Sequence, residues 1–364
     1  MYLSPTLSLY IARQFLSGFA FVFAVLLALV FLFDFIEHLR RASGREAADM
    51  ATVLELALLQ LPGLGQKLLP FAALFGAIFT FARLTRSHEL VVARAAGVSV
   101  WQFLAPLLLI TLLIGAFMVT VFNPFAAVMN SRYEHLENRF LEGKTSLLDV
   151  SSTGLWLRQA DDTGQSVIHA RTVSAAGTEL SDVIIFLYRG ADQFVGRIDA
   201  TSATLHDGFW QLDDALLTRP DRPAARYDRY DLPTTLTLAQ IQDSFASPET
   251  MSFWALPGFV QTLEDAGFSA TRHRLHWHAV LAMPLLLCAM VLLAATFTLR
   301  LTRHGHTGLL IAVGVSVAFL LYFVSDLVFA LGLAGSLPVA LAAWTPAGVT
   351  TLLGAALLLH LEDG

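Results

Sequence analysis

Residues 15–36 read "FLSGFAFVFAVLLALVFLFDFI", and this stretch decides how the rest is read. A membrane-crossing helix needs about 20 mainly apolar residues. This run supplies them with one charge, Asp34. It is too long for a signal-peptide core and lacks a small-residue cleavage site, so it reads as a span. Five further runs follow: Leu56–Phe81, Val98–Phe122, Trp277–Leu299, Leu309–Leu331 and Leu337–Leu359. The second holds Pro62 and Pro70, which predicts a broken or tilted outer end.

The whole chain agrees with that start. Its 364 residues are 55% hydrophobic and 14% charged, with a mean hydropathy of +0.62. Soluble domains run at about 45–50% apolar and about 25% charged. A net charge of −6 gives no basic face for nucleic acid. The one cysteine, Cys288, lies in an apolar run, which excludes an intrachain disulfide and a cysteine metal site.

Between the third and fourth runs the pattern changes. From Gly154 to Leu236 the runs "GLWLRQ", "SVIHARTV", "SDVIIFLYRG", "FVGRIDATSATL" and "FWQLDDALLTR" have strand character. Turn signals separate them at Asp161–Gly164, Gly190–Asp192 and Asp207–Gly208. Many short strands at this spacing predict a sandwich or an open jelly roll. A helix is predicted over Phe253–Ala266, with Ser252 as N-cap and Gly267 as stop. The organisation is therefore 1–122 for spans one to three, 123–276 for a β-rich domain with flanking helices, and 277–364 for spans four to six.

Arginines in the short loops favour a cytoplasmic N-terminus. Arg13, Arg83, Arg86, Arg94, Arg300 and Arg303 then lie inside. The β domain lies outside, as do Arg40, Arg41 and Arg45, which run against the bias.

Enzyme signatures are missing. Gly143-Lys144-Thr145 would need Gly at 138 to complete a phosphate loop, and that residue is Asn138. "HELVV" at 88–92 has Val92 where a zinc-protease helix needs its second His. There is no G-x-S-x-G elbow. His273, His276 and His278 are predicted outside and His304 and His306 inside, so they do not converge on a metal. The reading is a chain without catalytic or metal-ligating residues of its own.

Three features are candidates for function. Arg40 and Arg41 follow the outer end of the first span, and guanidinium forks suit phosphate. They read either as interfacial anchors or as binders of an anionic headgroup, with Lys67 as a third member. Asp34 and Asp326 lie in apolar runs, where a carboxylate costs roughly 2.5–3.5 kcal/mol at mid-bilayer, so each needs a polar setting or a helix partner. The third is "RLTRSHELVVARAAG", residues 83–97. On a helix Glu89, Val92, Ala93 and Ala96 share one face, and Arg83, Arg86, Leu90 and Arg94 another. A lone carboxylate among small side chains suits docking into a groove on a soluble protein. The plainer alternative is an Arg86–Glu89 pair worth about 0.2–0.5 kcal/mol.

"FDFIEHLRR", "LPFAALFGAI", "HELVVARAAG", "YFVSDLVF" and the closing "LLLHLEDG", with the six-span order and the outer β domain, resemble the lipopolysaccharide export permeases of the LptF/LptG family, and most of all its LptG members. The resemblance covers nearly the whole chain. It implies six transmembrane helices with a periplasmic jelly-roll-like domain between the third and fourth. It implies a heterodimer with LptF, a pair of LptB ATPase subunits that use ATP and Mg²⁺, LptC, and indirectly the bridge protein LptA. No cofactor is implied for this chain. Both termini would be cytoplasmic in the bacterial inner membrane. Lipopolysaccharide would enter from the outer leaflet and be squeezed upward among membrane lipids.

By that resemblance Arg40 and Arg41 contact the headgroup, with Lys67 as the third candidate from its place near the outer end of the second span, while Asp34 and Gly63 stand where a basic residue is expected. Glu89, Arg86 and Arg94 belong to the helix that couples to the ATPase, about 83–97, and Asp326 lies by a lateral opening. A permease for another amphiphile, a lipoprotein or glycolipid, and a non-transporting anchor displaying a β domain remain the alternatives.

Overall fold

The computed structural model describes residues 5–42, 49–137, 140, 148–151, 154–161, 164–173, 179–189, 193–220, 222–234, 237, 247–265, 269–301 and 307–363. Six helices are long and apolar enough to cross a membrane. In chain order the helices are α1 (Pro5–Ala42), α2 (Met50–Arg86), the short α3 (Glu89–Ala95), α4 (Val100–Phe117), α5 (Asn123–Glu137), α6 (Leu256–Asp265), α7 (Thr271–Leu301), α8 (Thr307–Leu333) and α9 (Val339–Asp363). The expected Gly267 stop and the turns at 162–163 and 190–192 lie outside the described residues, as do Arg45, Arg303, His304, His306 and the 143–145 tripeptide.

Residues 1–142, 249–254 and 275–364 form one compact unit. At its centre is α2, 61% buried along its most apolar stretch, with α7 beside it at 56%. Their side chains share one core with Phe15 of α1 and Leu104 and Leu107 of α4: Leu69, Leu74 and Phe81 from α2, Leu287 and Val291 from α7. The apolar stretches of α1 and α8 are only 6% buried. Helices in lipid gain little from burying apolar area, so they pack through small residues that let backbones approach. A Cβ at Gly76 would lie 2.8 Å from the Phe19 Cα, and one at Gly115 2.5 Å from the Pro284 Cα. These glycines set where α1 meets α2 and where α4 meets α7.

The expected break in the second span is not there. α2 runs unbroken through Pro62 and Pro70, and a packed bundle supplies the setting in which a helix tolerates prolines. The third span does not end at Phe122. A π turn, Met118–Phe122, joins α4 to α5, and the helix continues to Glu137. The widened turn presents its carbonyls sideways. Thr120 O accepts from Trp254 Nε1 at 3.2 Å, and one residue past the turn Asn123 Oδ1 accepts from Phe253 N at 2.7 Å. Asn130 Nδ2 donates to Glu249 O at 3.3 Å. Residues 249–254 are therefore strapped to the third membrane helix. This moves the domain boundaries from 122/123 and 276/277 to 142/143 and 274/275, with the strap returned to the membrane unit. It also explains why the helix predicted from Phe253 starts at Leu256.

Residues 143–248 and 255–274 form the second unit. Its seven strands are β1 (Leu148–Ser151), β2 (Gly154–Asp161), β3 (Gly164–Val173), β4 (Glu179–Arg189), β5 (Gln193–His206), β6 (Phe209–Arg219) and β7 (Arg222–Pro233), antiparallel in sequential order. The jelly-roll-like domain is thus built as a meander. Gly208, at φ +89°, makes the β5–β6 turn. The inner face carries Leu157, Ile168, Ile185, Ile198 and Trp210, closed over by Leu263, with Phe259 and Val260 of α6 packed beside it.

One feature shapes this sheet. The inward parity flips in three neighbouring strands at the same level: Leu180 then Val183, Ala200 then Ala203, Leu212 then Ala215. Each flip turns two successive polar residues outward, and Asp182 and Asp214 do so at φ +51° and +54°. Bulge-like irregularities of this kind bend a strand and increase its twist. Outside the bend, Arg171 pairs with Asp182 at 3.3 Å and Arg226 with Asp214 at 2.6 Å. The Arg226 guanidinium holds the Asp214 carboxyl below its ordinary range.

Gly76→Val tests the helix crossing. Its first carbon meets backbone rather than a flexible tip, so α1 must move away. Overpacking of this kind costs about 1–3 kcal/mol. The expected result is a lower thermal midpoint of the purified protein in detergent, and an unchanged midpoint rejects the crossing.

Candidate functional site

The C-terminal end of α1 is held by a polar cluster. Asp34 cannot stay unpartnered beside apolar neighbours without a cost of kcal/mol order. One turn on, His38 Nε2 lies 3.5 Å from its Oδ2, and His38 is 2% exposed. Gln60 of α2 meets the same ring nitrogen at 3.1 Å. With its amide oriented nitrogen-inward, Gln60 also donates to both Asp34 oxygens, at 3.0 and 3.1 Å. Tyr133 of α5 stacks on the imidazole, ring centroids 5.7 Å apart. Three helices thus converge on His38.

The candidate headgroup arginines sit just beyond. Arg40 Nε and Nη2 donate to Glu37 at 2.9 and 2.7 Å. Arg41 Nε donates to Glu37 at 3.0 Å and its Nη1 to Glu137 of α5 at 3.2 Å. Both guanidiniums remain half or more exposed, at 75% and 50%. Lys67 is exposed but does not join them. It lies seven residues past Gln60 in α2, about 10 Å along the helix on the side away from the arginines.

At the other end of α1, α3 is framed by two left-handed residues, His88 at φ +61° and Gly97 at φ +85°. Gly97 closes the helix: Val98 N reaches back to Ala93 O at 3.1 Å, a pattern that favours glycine at the turn. Ser99 then opens α4 with a reciprocal capping box to Gln102. Leu90 anchors α3, buried against Phe81, Leu104 and Phe103. Ala93 leans the same way rather than joining the outer face. The exposed face carries Val91 and Val92, at 58% and 67%, with Glu89, Ala95 and Ala96.

Two side chains of α1 meet this corner, one from Gln14 and one from Tyr10. Arg83 Nε and Nη1 meet the Gln14 amide oxygen at 2.9 and 2.6 Å once that amide is oriented to receive them. Glu89 Oε1 accepts the Tyr10 hydroxyl at 3.2 Å. Arg86 is exposed at the end of α2. The side chain of Arg94 lies outside the described set.

Asp326 is exposed on α8 among Tyr322, Phe323 and Leu327, themselves 59%, 60% and 51% exposed. Its setting is therefore not an interior face of this bundle. His273 packs on Phe259 with centroids 5.1 Å apart. Among the described residues no group of three His, Cys, Asp or Glu could hold a metal ion.

Sequence reading missed His38, Gln60, Tyr133 and Glu137. Asp34–His38 and Glu37–Arg41 were visible at i,i+4 spacing. Glu137, 96 residues from Arg41, had no local signal.

Anchoring and outward faces of α3 separate by mutation. Leu90→Ala is expected to cost about 2–5 kcal/mol, whereas Val91→Ala and Val92→Ala stay within about 0.5 kcal/mol. Thermal unfolding of the three purified variants checks this; equal losses reject the assignment.

The model of the family described as "Lipopolysaccharide export system permease LptF/LptG" matches residues 9–360. The lipopolysaccharide export system permease protein LptG of Escherichia coli K12 is 24% identical over 364 residues, covering 96% of this chain and 97% of the relative. The protein of the same name from Haemophilus influenzae is 24% identical over 336 residues, covering 88% and 89%.

Proposed function

The chain belongs to the lipopolysaccharide export system permease LptF/LptG family, and we propose that it is the permease subunit of an ATP-driven exporter of lipopolysaccharide. In this reading it extracts the glycolipid from the outer leaflet of the inner membrane and passes it toward the periplasmic bridge. The observation that carries it is the family match, which takes in all six membrane helices and the inserted β domain together.

Each part of the fold has a place in that function. With the N-terminus cytoplasmic, α3 faces the cytoplasm and the β domain the periplasm. An LptB ATPase, using ATP and Mg²⁺, docks on α3 through Val91, Val92 and the small residues beside them, with Glu89 giving direction. Arg86 and Arg94 flank that surface. The fixed turns at His88 and Gly97 suit a helix that must transmit force rather than swing. LptF covers the apolar faces of α1 and α8, whose most apolar stretches have only 6% of their residues buried within this chain, and gives Asp326 its polar neighbour. LptC and the bridge protein LptA receive the substrate beyond the membrane.

Headgroup phosphates meet Arg40 and Arg41 at the outer end of α1. Lys67 lies deeper and meets the substrate further along its path. ATP hydrolysis then narrows the cavity between the two permeases and extrudes the amphiphile.

Two variants test the two ends of this reading. Glu89→Lys is expected to detach LptB or uncouple ATP hydrolysis from transport, read by co-purification and a transport assay; a variant equal to the parent in both rejects the docking role. Arg40→Glu with Arg41→Glu is expected to cut lipopolysaccharide photocrosslinking at least several-fold while the complex still assembles. Equal crosslinking removes the arginines from the substrate path.

A further inference from the structure

We infer that Glu137 is an internal stand-in for the anionic headgroup: its carboxylate holds Arg41 while no substrate phosphate is bound, and an arriving phosphate displaces it. The inference rests on the headgroup reading of Arg40 and Arg41 given above.

The outer end of α1 is not a simple basic patch. Glu37 and Glu137 are paired with the guanidiniums of Arg40 and Arg41, and Asp34 lies within two turns of them on α1. The carboxylates are not equivalent. Asp34 is tied into the buried His38–Gln60 group. Glu37 bridges both arginines from within the same helix, at i,i+3 and i,i+4 spacing, so it travels with them. Among the described residues Glu137 is the carboxylate that reaches Arg41 from another helix, and it also shares a side-chain hydrogen bond with Tyr133 of its own helix. It is 17% exposed, while Arg41 is 50% exposed, so one side of the guanidinium is open to an incoming group while the other is held.

Chemistry makes the exchange workable. A guanidinium offers a planar fork that fits carboxylate and phosphate alike. Arg41 already spends its Nε on Glu37 and one Nη on Glu137, through single bonds of 3.0 and 3.2 Å. Neither is the paired fork that a phosphate would take up. A single carboxylate bond to a half-exposed guanidinium is weak, so a doubly charged phosphate can outcompete it.

The contact also has a mechanical side. Arg41–Glu137 ties α1 to α5 on the solvent side of the His38–Tyr133 stack. Displacing Glu137 removes one of the ties between α1 and α5 and leaves the His38–Tyr133 stack and the Gln60 contacts in place. Binding of a headgroup is therefore read out as a looser α1, a helix with few fully buried residues along its most apolar stretch. Glu137 also sets specificity, because an uncharged amphiphile gives Arg41 no reason to leave it.

The experiment measures equilibrium binding of diphosphoryl lipopolysaccharide to the full exporter complex in lipid nanodiscs, for the parent, Glu137→Gln, Arg41→Gln and the double variant. Inorganic phosphate and dephosphorylated lipopolysaccharide serve as separate probes. Glu137→Gln is expected to raise affinity for the phosphorylated lipid at least threefold and to leave the dephosphorylated lipid unchanged. Arg41→Gln is expected to weaken binding, and the double variant to match it, since removing Glu137 favours phosphate only by freeing Arg41. Tighter binding of inorganic phosphate by Glu137→Gln would place the competition at the phosphate itself, as inferred; a gain for the dephosphorylated lipid as well would overturn it.

An unchanged or weakened affinity in Glu137→Gln, with Arg41→Gln still impaired, overturns the stand-in while leaving the headgroup reading intact. Parent-like binding by Arg41→Gln and by Arg40→Gln overturns the headgroup reading and the stand-in with it. If Glu137→Gln does not assemble, Glu137→Asp keeps the charge and withdraws it by one methylene. A smaller rise is expected there, and no rise counts against the inference.

Discussion

A polar group inside an apolar slab must find a partner, and much of this structure follows from that one constraint. Hydrocarbon offers no hydrogen bonds, so the backbone is confined to helices. The same pressure acts on side chains. Asp34 takes His38 and Gln60, Arg83 takes the Gln14 amide, and buried Thr80 and Thr111 donate to carbonyls one turn back at 2.8 and 2.7 Å. Each of the longer-range pairs also fixes how two helices lie together. Polar partnering and helix packing are here a single event, because lipid gives apolar faces no strong reason to choose one neighbour over another.

The two ends of α1 use this in different ways. At one end Tyr10 and Gln14 meet Glu89 and Arg83, so α1 is tied to both sides of the α2–α3 turn. At the other, His38 and Arg41 tie it to α2 and α5. Between these ends its most apolar stretch is only 6% buried. Along its middle one face of α1 packs on α2, with Phe19 against Gly76, while the opposite face stays exposed, so the helix can change its neighbour on that face without coming loose. In the proposed transport function that is what a helix beside a substrate path has to do.

The sequence was most legible where a single physical rule acts over many residues. Bilayer thickness sets a length threshold, and six apolar runs pass it without reference to anything else. Strands β2 to β6 were legible for the same reason, since alternation repeats along each. The edge strand β7 was not. It carries Pro223 and Pro233 and five charges between them or beside them, from Arg222 to Asp231, because an edge strand is protected by charge and proline rather than burial. The parity flips at Asp182, Thr201 and Asp214 were hidden too. A run with one residue out of phase looks like weak alternation in sequence, and only the three strands together show that the faults align.

The candidate sites divide along the same line. Glu37 with Arg40 and Arg41, and Asp34 with His38, are neighbours on one helix, and helical spacing alone brings them together. Glu137 and Tyr10 reach their partners across 96 and 79 residues, and only packing sets those distances. This difference matters for function as well as for prediction. A contact within one helix moves with the helix and reports nothing. A contact between helices breaks when they separate, so the interactions that sequence conceals are the ones able to couple binding to motion. By that argument the outer arginines are better understood through Glu137 than through their own charge.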